Sequence, residues 1–366
     1  MKSEVGYRCW AEIDLAALRA NARFVRDRLG ADVELLAVVK ANGYGHGMLP
    51  VATALANDVQ LFGVANLEEA SMLREEVAHP IIVLGPALSK ERVAIVRAGF
   101  IPSVSTYDEA NEFSRVAESS TVAINLVIDT GMGRMGVMES DALSLFRKIS
   151  QLPNMKIHSI STHLPAAEDA DFTHAELRQF TGIVEKLRKE FNGSYKAHAL
   201  PSAGVLGYGN MAFDIVRAGL ILYGIAPLPG FDDLLRPVMT WKTRIALIRD
   251  VPAGHGISYG RTFVTPRKMR VATLSAGYAD GYPRHLSNRD ASVLVRGKRC
   301  PLLGRVTMDL MMIDVSHVDA EIGDEVVLMG RQGDESISAV ELADRINTIA
   351  WEIVARIGSR VQRIYV

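Results

Sequence analysis

Eight short apolar runs, at residues 34–39, 61–65, 81–85, 101–105, 123–128, 156–162, 195–200 and 214–217, constrain this chain most. Segments of helical spacing separate them, among them 67–76, 90–98, 108–116, 141–149 and 173–191. Strands joined by helices pair in parallel, because only a long crossover returns the chain to the starting edge. Eight such units close into a barrel, and an open doubly wound sheet is the competing arrangement. A further helix is expected over 15–29. Leu15, Leu18, Ala22, Val25 and Leu29 share one face, Asp14 is placed to cap it and Gly30 to end it.

The alternation stops at PLPGFDDLLRP (227–237), a turn-rich connection. Beyond it lie strand-like runs at 239–251, 270–275, 292–295, 311–315 and 325–329, with one modest helix at 339–346. Ser338 and Glu341 before that helix have capping-box spacing. The expected architecture is an eight-stranded parallel αβ barrel over residues 9–235, followed by a mostly antiparallel β domain over 236–366. Residues 1–8 are expected to associate with the second domain.

Composition narrows the function. The chain has 366 residues, 48% of them hydrophobic, and a formal net charge of −1. Without a basic excess, neither nucleic acid nor an anionic membrane is an expected partner. No apolar signal core or membrane-length run is present, so a cytoplasmic protein is expected. The two cysteines, Cys9 and Cys300, are far apart and read as reduced, buried thiols. Asn192-Gly-Ser194 matches a glycosylation sequon but is most simply a turn. No metal cage is expected: His158 and His163 lie on opposite faces of one strand, with no carboxylate cluster.

In a parallel αβ barrel, chemistry gathers at the C-terminal ends of the strands. The first strand ends in AVVKANGYGHG, which places Lys40 and Tyr44 there. The fifth is followed by DTGMGRMG, with Asp129 and Arg134. The sixth ends in Thr162-His163, the seventh is followed by Pro201-Ser202, and the eighth by Arg217-Ala218-Gly219-Leu220. GMGRMG matches a dinucleotide fingerprint, but it follows the fifth strand and residues 150–156 hold no acid to bind a ribose. A lysine whose pKa is depressed by burial can form a Schiff base. Ser202, Gly219 and Leu220 offer a hydroxyl and backbone N–H groups to a phosphate, as barrels do after strands seven and eight. Lysine, arginines, histidine and anion cradle together describe a pyridoxal phosphate site.

The motifs AVVKANGYGHG, DTGMGRMG, THLPAAEDAD, VRAGLILYGIAP, ISYGRTF, GYADGYPR and GRVTMDLMMIDV resemble, in that order, those of the bacterial alanine racemases. The resemblance runs from about Cys9 to Tyr365. It implies a fold-type III, pyridoxal 5'-phosphate-dependent isomerase that interconverts L- and D-alanine by two bases and supplies D-alanine for peptidoglycan. It also implies a head-to-tail homodimer with active sites shared between subunits. Lys40 matches the cofactor lysine and one base, and Tyr259 the second base, given by the partner subunit. Arg217 matches the residue at the pyridine nitrogen, and His163 the residue by the ring, bonded to that arginine. Tyr44, Ser202, Gly219 and Leu220 match phosphate contacts. Arg134, Tyr278, Met308 and Asp309 match substrate-side residues, the last two again from the partner.

Three positions depart from the family pattern. Val127 stands where a lysine often supports the arginine of DTGMGR, and Asn125, on the same strand face, is the candidate substitute. Pro201 replaces an asparagine and loses a backbone N–H. Ser359 stands where a tyrosine is often seen. These changes bear on turnover and on strictness for alanine, so a broad-specificity amino-acid racemase is the alternative reading. A metal-dependent lyase of this barrel lacks a His/Cys pair here. A non-catalytic cofactor carrier has no counterpart to residues 238–366.

Overall fold

A computed structural model describes residues 6–191 and 195–366, so the sequon at 192–194 lies outside the described residues. All eight expected barrel strands form: Glu34–Val38, Leu61–Val64, Ile81–Pro86, Ile101–Val104, Val122–Asp129, Met155–Ser161, Lys196–His198 and Ile215–Ala218. They pair in parallel in chain order, and the eighth pairs with the first. Between the seventh and eighth there is one bridge, Pro201 to Arg217, with Arg217 N–H donating to the Leu200 carbonyl at 3.0 Å. Proline has no N–H with which to extend that ladder. Helix Leu15–Asp27 starts where expected, with Ala17 N–H donating to Asp14 Oδ1 at 2.8 Å.

Most residues of the strands are buried, as expected of a parallel barrel; Leu61–Val64 and Ile101–Val104 are buried throughout. One interior layer is polar. Ser103, Asn125, Ser159, Ser161, His198 and Arg217 come from five strands and are all buried.

Residues cluster into two compact units. One is Leu18–Gly43 with Met48–Arg236; the other holds the described residues up to Ala17, then Tyr44–Gly47 and Pro237–Val366. Cys9–Ile13, expected within the barrel domain, is a strand of the second unit. It pairs antiparallel with Met239–Val251 and parallel with Gln362–Tyr365, so its mostly buried residues form an interior strand of that sheet. Met239–Val251 also pairs with Glu325–Gln332 and Met269–Leu274. A small core of Val251, Ile257, Met269, Val271 and Leu303 lies beneath.

The cysteines are free and buried, and burial raises both thiols to about 12, so they are inert. Ser338 caps Ala339–Arg345 as expected, Oγ accepting from Glu341 N–H at 3.0 Å. The reciprocal half of the box does not form, because the Glu341 carboxylate is drawn to Arg299 and Arg345. No helix of the described residues is long and apolar enough to cross a membrane.

Candidate active site

Lys40 sits two residues beyond the end of the first barrel strand, at the start of a left-handed turn. Ala41, Asn42, Gly43 and Tyr44 take φ of 53°, 54°, 61° and 52°. Such a run is costly for L residues, so it needs outside support. Within the barrel unit, Glu69 supplies part of it: one carboxylate oxygen accepts from Ala41 N–H at 2.7 Å, the other from Ala65 N–H at 2.8 Å. Asn42 Oδ1 accepts from Met48 N–H at 3.0 Å. Burial, then the nearby Arg134 guanidinium, lowers the Lys40 pKa; Glu69 opposes this and Arg217 adds to it. The lysine is thereby moved towards a neutral, nucleophilic amine. Glu69 was not foreseen; the acidic first turn of Leu67–Arg74 was its only sign.

Arg217 is held deep in the barrel. Its Nη1 donates to His198 Nδ1 at 2.5 Å and to the His198 carbonyl at 3.1 Å. Nη2 donates to the carbonyls of Thr162 at 2.6 Å and Ala199 at 2.9 Å, and meets His163 Nδ1 at 3.3 Å. These acceptors are all neutral, so the guanidinium charge is positioned without being cancelled. Burial lowers its pKa to about 9, still cationic at neutral pH. Burial and then Arg217 push His163 down to about 3, so both rings on the arginine stay neutral. His198 escaped the sequence reading; it follows Lys196 by two residues on a short strand and so lies on the same face, opposite to Ala197.

Asn125 does not take over the support of Arg134. Its Nδ2 donates to Ser103 and Ser161, and its Oδ1 faces Ser159 and His198. The exposed Arg134 rides instead on a loop wrapped round Asp129, whose carboxylate accepts from the N–H groups of Gly131 and Gly133. The glycines of GMGRMG thus serve this loop; Gly136, at φ 115°, donates to Ser105 Oγ. Beneath it Thr130 Oγ1 meets Thr162 Oγ1 at 2.7 Å and Glu176 Oε1 at 3.3 Å. After the seventh strand, Ser202 Oγ accepts from the N–H of Gly219 at 2.9 Å and of Ile221 at 3.4 Å, with buried Leu220 between them.

The second unit carries the other expected residues. Tyr44 is buried, and its carbonyl accepts from the ring of His46 at 2.8 Å. Tyr259 is 71% exposed on a turn whose preceding residue, Ser258, has φ 63° and ψ −177°, a region normally left to glycine. Tyr278 and Met308 are 40% and 52% exposed. Their turns are joined by Tyr278 N–H to the Thr307 carbonyl and Ala279 N–H to the Met308 carbonyl, both at 3.0 Å. Arg360 spans the same two turns, pairing with Asp280 at 2.9 Å and Asp309 at 2.8 Å. Ser359 beside it is exposed.

A parallel barrel with a strand-end lysine, buried arginine and hydroxyl-lined turn, followed by a β domain, defines the class as a two-domain αβ-barrel enzyme. The family model "Alanine racemase, N-terminal domain" matches residues 13–227, and "Alanine racemase, C-terminal domain" matches 238–365. The chain belongs to the alanine racemase family, a family of amino-acid racemases. An alanine racemase of Halothermothrix orenii is 42% identical, over 97% of this chain and 96% of its own. A Bacillus anthracis alanine racemase with bound L-Ala-P has a TM-score of 0.91 at 33% identity, covering 99% of this chain and 96% of that one. A Bartonella henselae alanine racemase with covalently bound pyridoxal phosphate has a TM-score of 0.90 at 29% identity, covering 99% and 100%.

Proposed function

We propose that the protein interconverts L- and D-alanine, using pyridoxal 5'-phosphate held on Lys40. The observation that carries this is the place of Lys40 at the end of the first barrel strand, near Arg134 and the buried Arg217, where burial lowers its pKa. The residues present fit the cofactor. A nucleophilic amine suits its aldehyde, and the arginine charge suits a phosphorylated anion. The Ser202 hydroxyl next to Gly219 and Leu220 suits the phosphate. When bound, pyridoxal phosphate supplies an electron sink that makes the substrate Cα proton acidic.

The chain's own residues then divide the work. Lys40 takes or returns the Cα proton on one face, and Tyr259 of the partner subunit does so on the other. A free lysine amine has a pKa near 10, so proton transfer at neutral pH needs surroundings that bring it down, as burial does for Lys40. Arg217, a buried cation steadied by His163, would meet the ring-nitrogen end of the cofactor and discourage its protonation. Tyr44 joins the phosphate contacts. Arg134 orients the substrate carboxylate, and Tyr278, Met308 and Asp309 line the entrance. The assembly is a homodimer with shared sites, working in the cytoplasm and supplying D-alanine for peptidoglycan.

The test is α-proton exchange in D2O across a panel of L-amino acids, with chiral analysis, on the cofactor-loaded protein. Exchange and racemisation of alanine alone are expected, with Tyr259→Phe losing racemisation while keeping the cofactor's absorbance. Comparable rates on serine, lysine or arginine would mean a broad-specificity racemase. No exchange with any of them, despite bound cofactor, would sink the reading.

A further inference from the structure

Arg217 has only donors to offer, so whatever meets its Nη1 must accept. The partner at 2.5 Å is His198 Nδ1, which is therefore the unprotonated nitrogen of a neutral ring. The proton then sits on Nε2, buried and in need of an acceptor of its own. That acceptor, at 3.1 Å, is Asn125 Oδ1. The carboxamide is fixed the same way round by its other partners. Nδ2 donates to Ser103 Oγ at 3.1 Å and Ser161 Oγ at 3.0 Å, and Oδ1 takes a second hydrogen from Ser159 Oγ at 3.0 Å. A flipped amide would place N–H against N–H along this line.

We infer that Asn125 is a positioning residue for Arg217, acting through His198: its carboxamide oxygen holds the imidazole as the Nε2–H tautomer and so keeps Nδ1 as acceptor for the guanidinium. The inference rests on the proposed reading only for its kinetic consequence. A tautomer held by a buried partner is a known determinant of turnover, since the wrong one removes the hydrogen bond that aims the reacting group. Asn125 thus does at the far end of the arginine what no residue of the entrance can do.

Two variants separate this role from space filling. Asn125→Leu keeps the bulk and loses the acceptor; Asn125→Asp keeps an acceptor at Oδ1. If the oxygen matters, Asn125→Leu lowers kcat for alanine by roughly tenfold to a hundredfold, with KM changed little, and Asn125→Asp restores most of it. If the side chain only fills space, the buried carboxylate is the worse of the two, and that order overturns the inference. Nitrogen-15 histidine spectra of the protein without substrate give the independent readout, with the His198 signals assigned by their loss in His198→Gln. Neutral His198 protonated at Nε2 is expected in the unsubstituted protein; protonation at Nδ1 overturns the proposal even if neither variant folds. Because this spectrum needs no turnover, a protein that failed to racemise alanine would still report on Asn125.

Discussion

Ala41, Asn42 and Tyr44 each keep φ between 52° and 54°, at a cost of about 1 kcal/mol or more per residue. The carboxylate of Glu69 and the amide of Asn42 offset this, which is why a lysine can be presented on so unusual a turn. The two glycines further on have a different reason. A Cβ on Gly45 would lie 2.1 Å from the Val354 carbonyl oxygen, and Gly47 has φ 101°. Close approach to helix Ala350–Ala355 makes glycine necessary at 45. Glu176 carries the pH-dependent prediction. Burial raises its carboxyl from 4.5 to about 7, and its Oε2 has no hydrogen-bond partner. Below the unfolded value both states keep the proton and the group contributes nothing. Between that value and about 7 the folded state keeps a proton the unfolded state has lost, so stability falls as pH rises; above 7 the penalty is complete. Glu176→Gln cannot ionise. Its melting temperature relative to the unsubstituted protein should therefore be higher at pH 8 than at pH 4.5. An equal difference at both values would mean the carboxyl titrates normally.

At the level of elements, the two turns proposed to line the entrance are held by two backbone hydrogen bonds and by the Arg360 bridge. Gly277 lies so close to the turn of Met308 that a Cβ would meet the Met308 carbonyl oxygen at 2.3 Å, and Arg360 ties Asp280 to Asp309 across the same place. Removing the bridge loosens the turns that carry the proposed substrate-side residues Tyr278, Met308 and Asp309. Arg360→Ala should raise KM for alanine roughly threefold to tenfold and leave kcat nearly unchanged. An equal fall in kcat would place Arg360 in the chemistry instead. The sequence disclosed the eight barrel strands to within a residue or two, because a buried apolar run bounded by turns has few other uses. It did not disclose Met48–Leu55, whose apolar residues surround the helix and leave no periodic face. Ser202–Tyr208 was hidden by two glycines, which argue against a helix locally; a Cβ on Gly204 would meet Leu200 and Pro201 at 3.1 Å, so packing overrides propensity there. His198, the serines, and the place of Asn125 among them rather than beneath Arg134 were illegible for another reason. Each is unremarkable alone, and only the barrel's register brings them into one layer.

For the whole molecule, the decisive matter is which chain completes the site. Tyr259 stands 71% exposed on a turn strained at Ser258, and Tyr278 and Met308 are exposed in the same unit. Strain of this kind persists where surrounding structure compels it and tends to mark function. An exposed aromatic offered by such a turn is suited to entering a neighbouring subunit. In a two-fold dimer with shared sites, every site takes Lys40 from one chain and Tyr259 from the other. Lys40→Ala and Tyr259→Phe are therefore each inactive as homodimers, yet a mixed dimer holds one intact site and one doubly defective site. If equal amounts reassociate at random, half the dimers are mixed, and activity should return to about a quarter of that of the unsubstituted protein. If each chain instead built its own site, every site in the mixture would carry one lesion and activity would stay at the level of the parents. The measurement is racemisation of alanine after co-refolding the two variants, against each refolded alone. Recovery well above zero is possible only if the second base crosses from one subunit to the other.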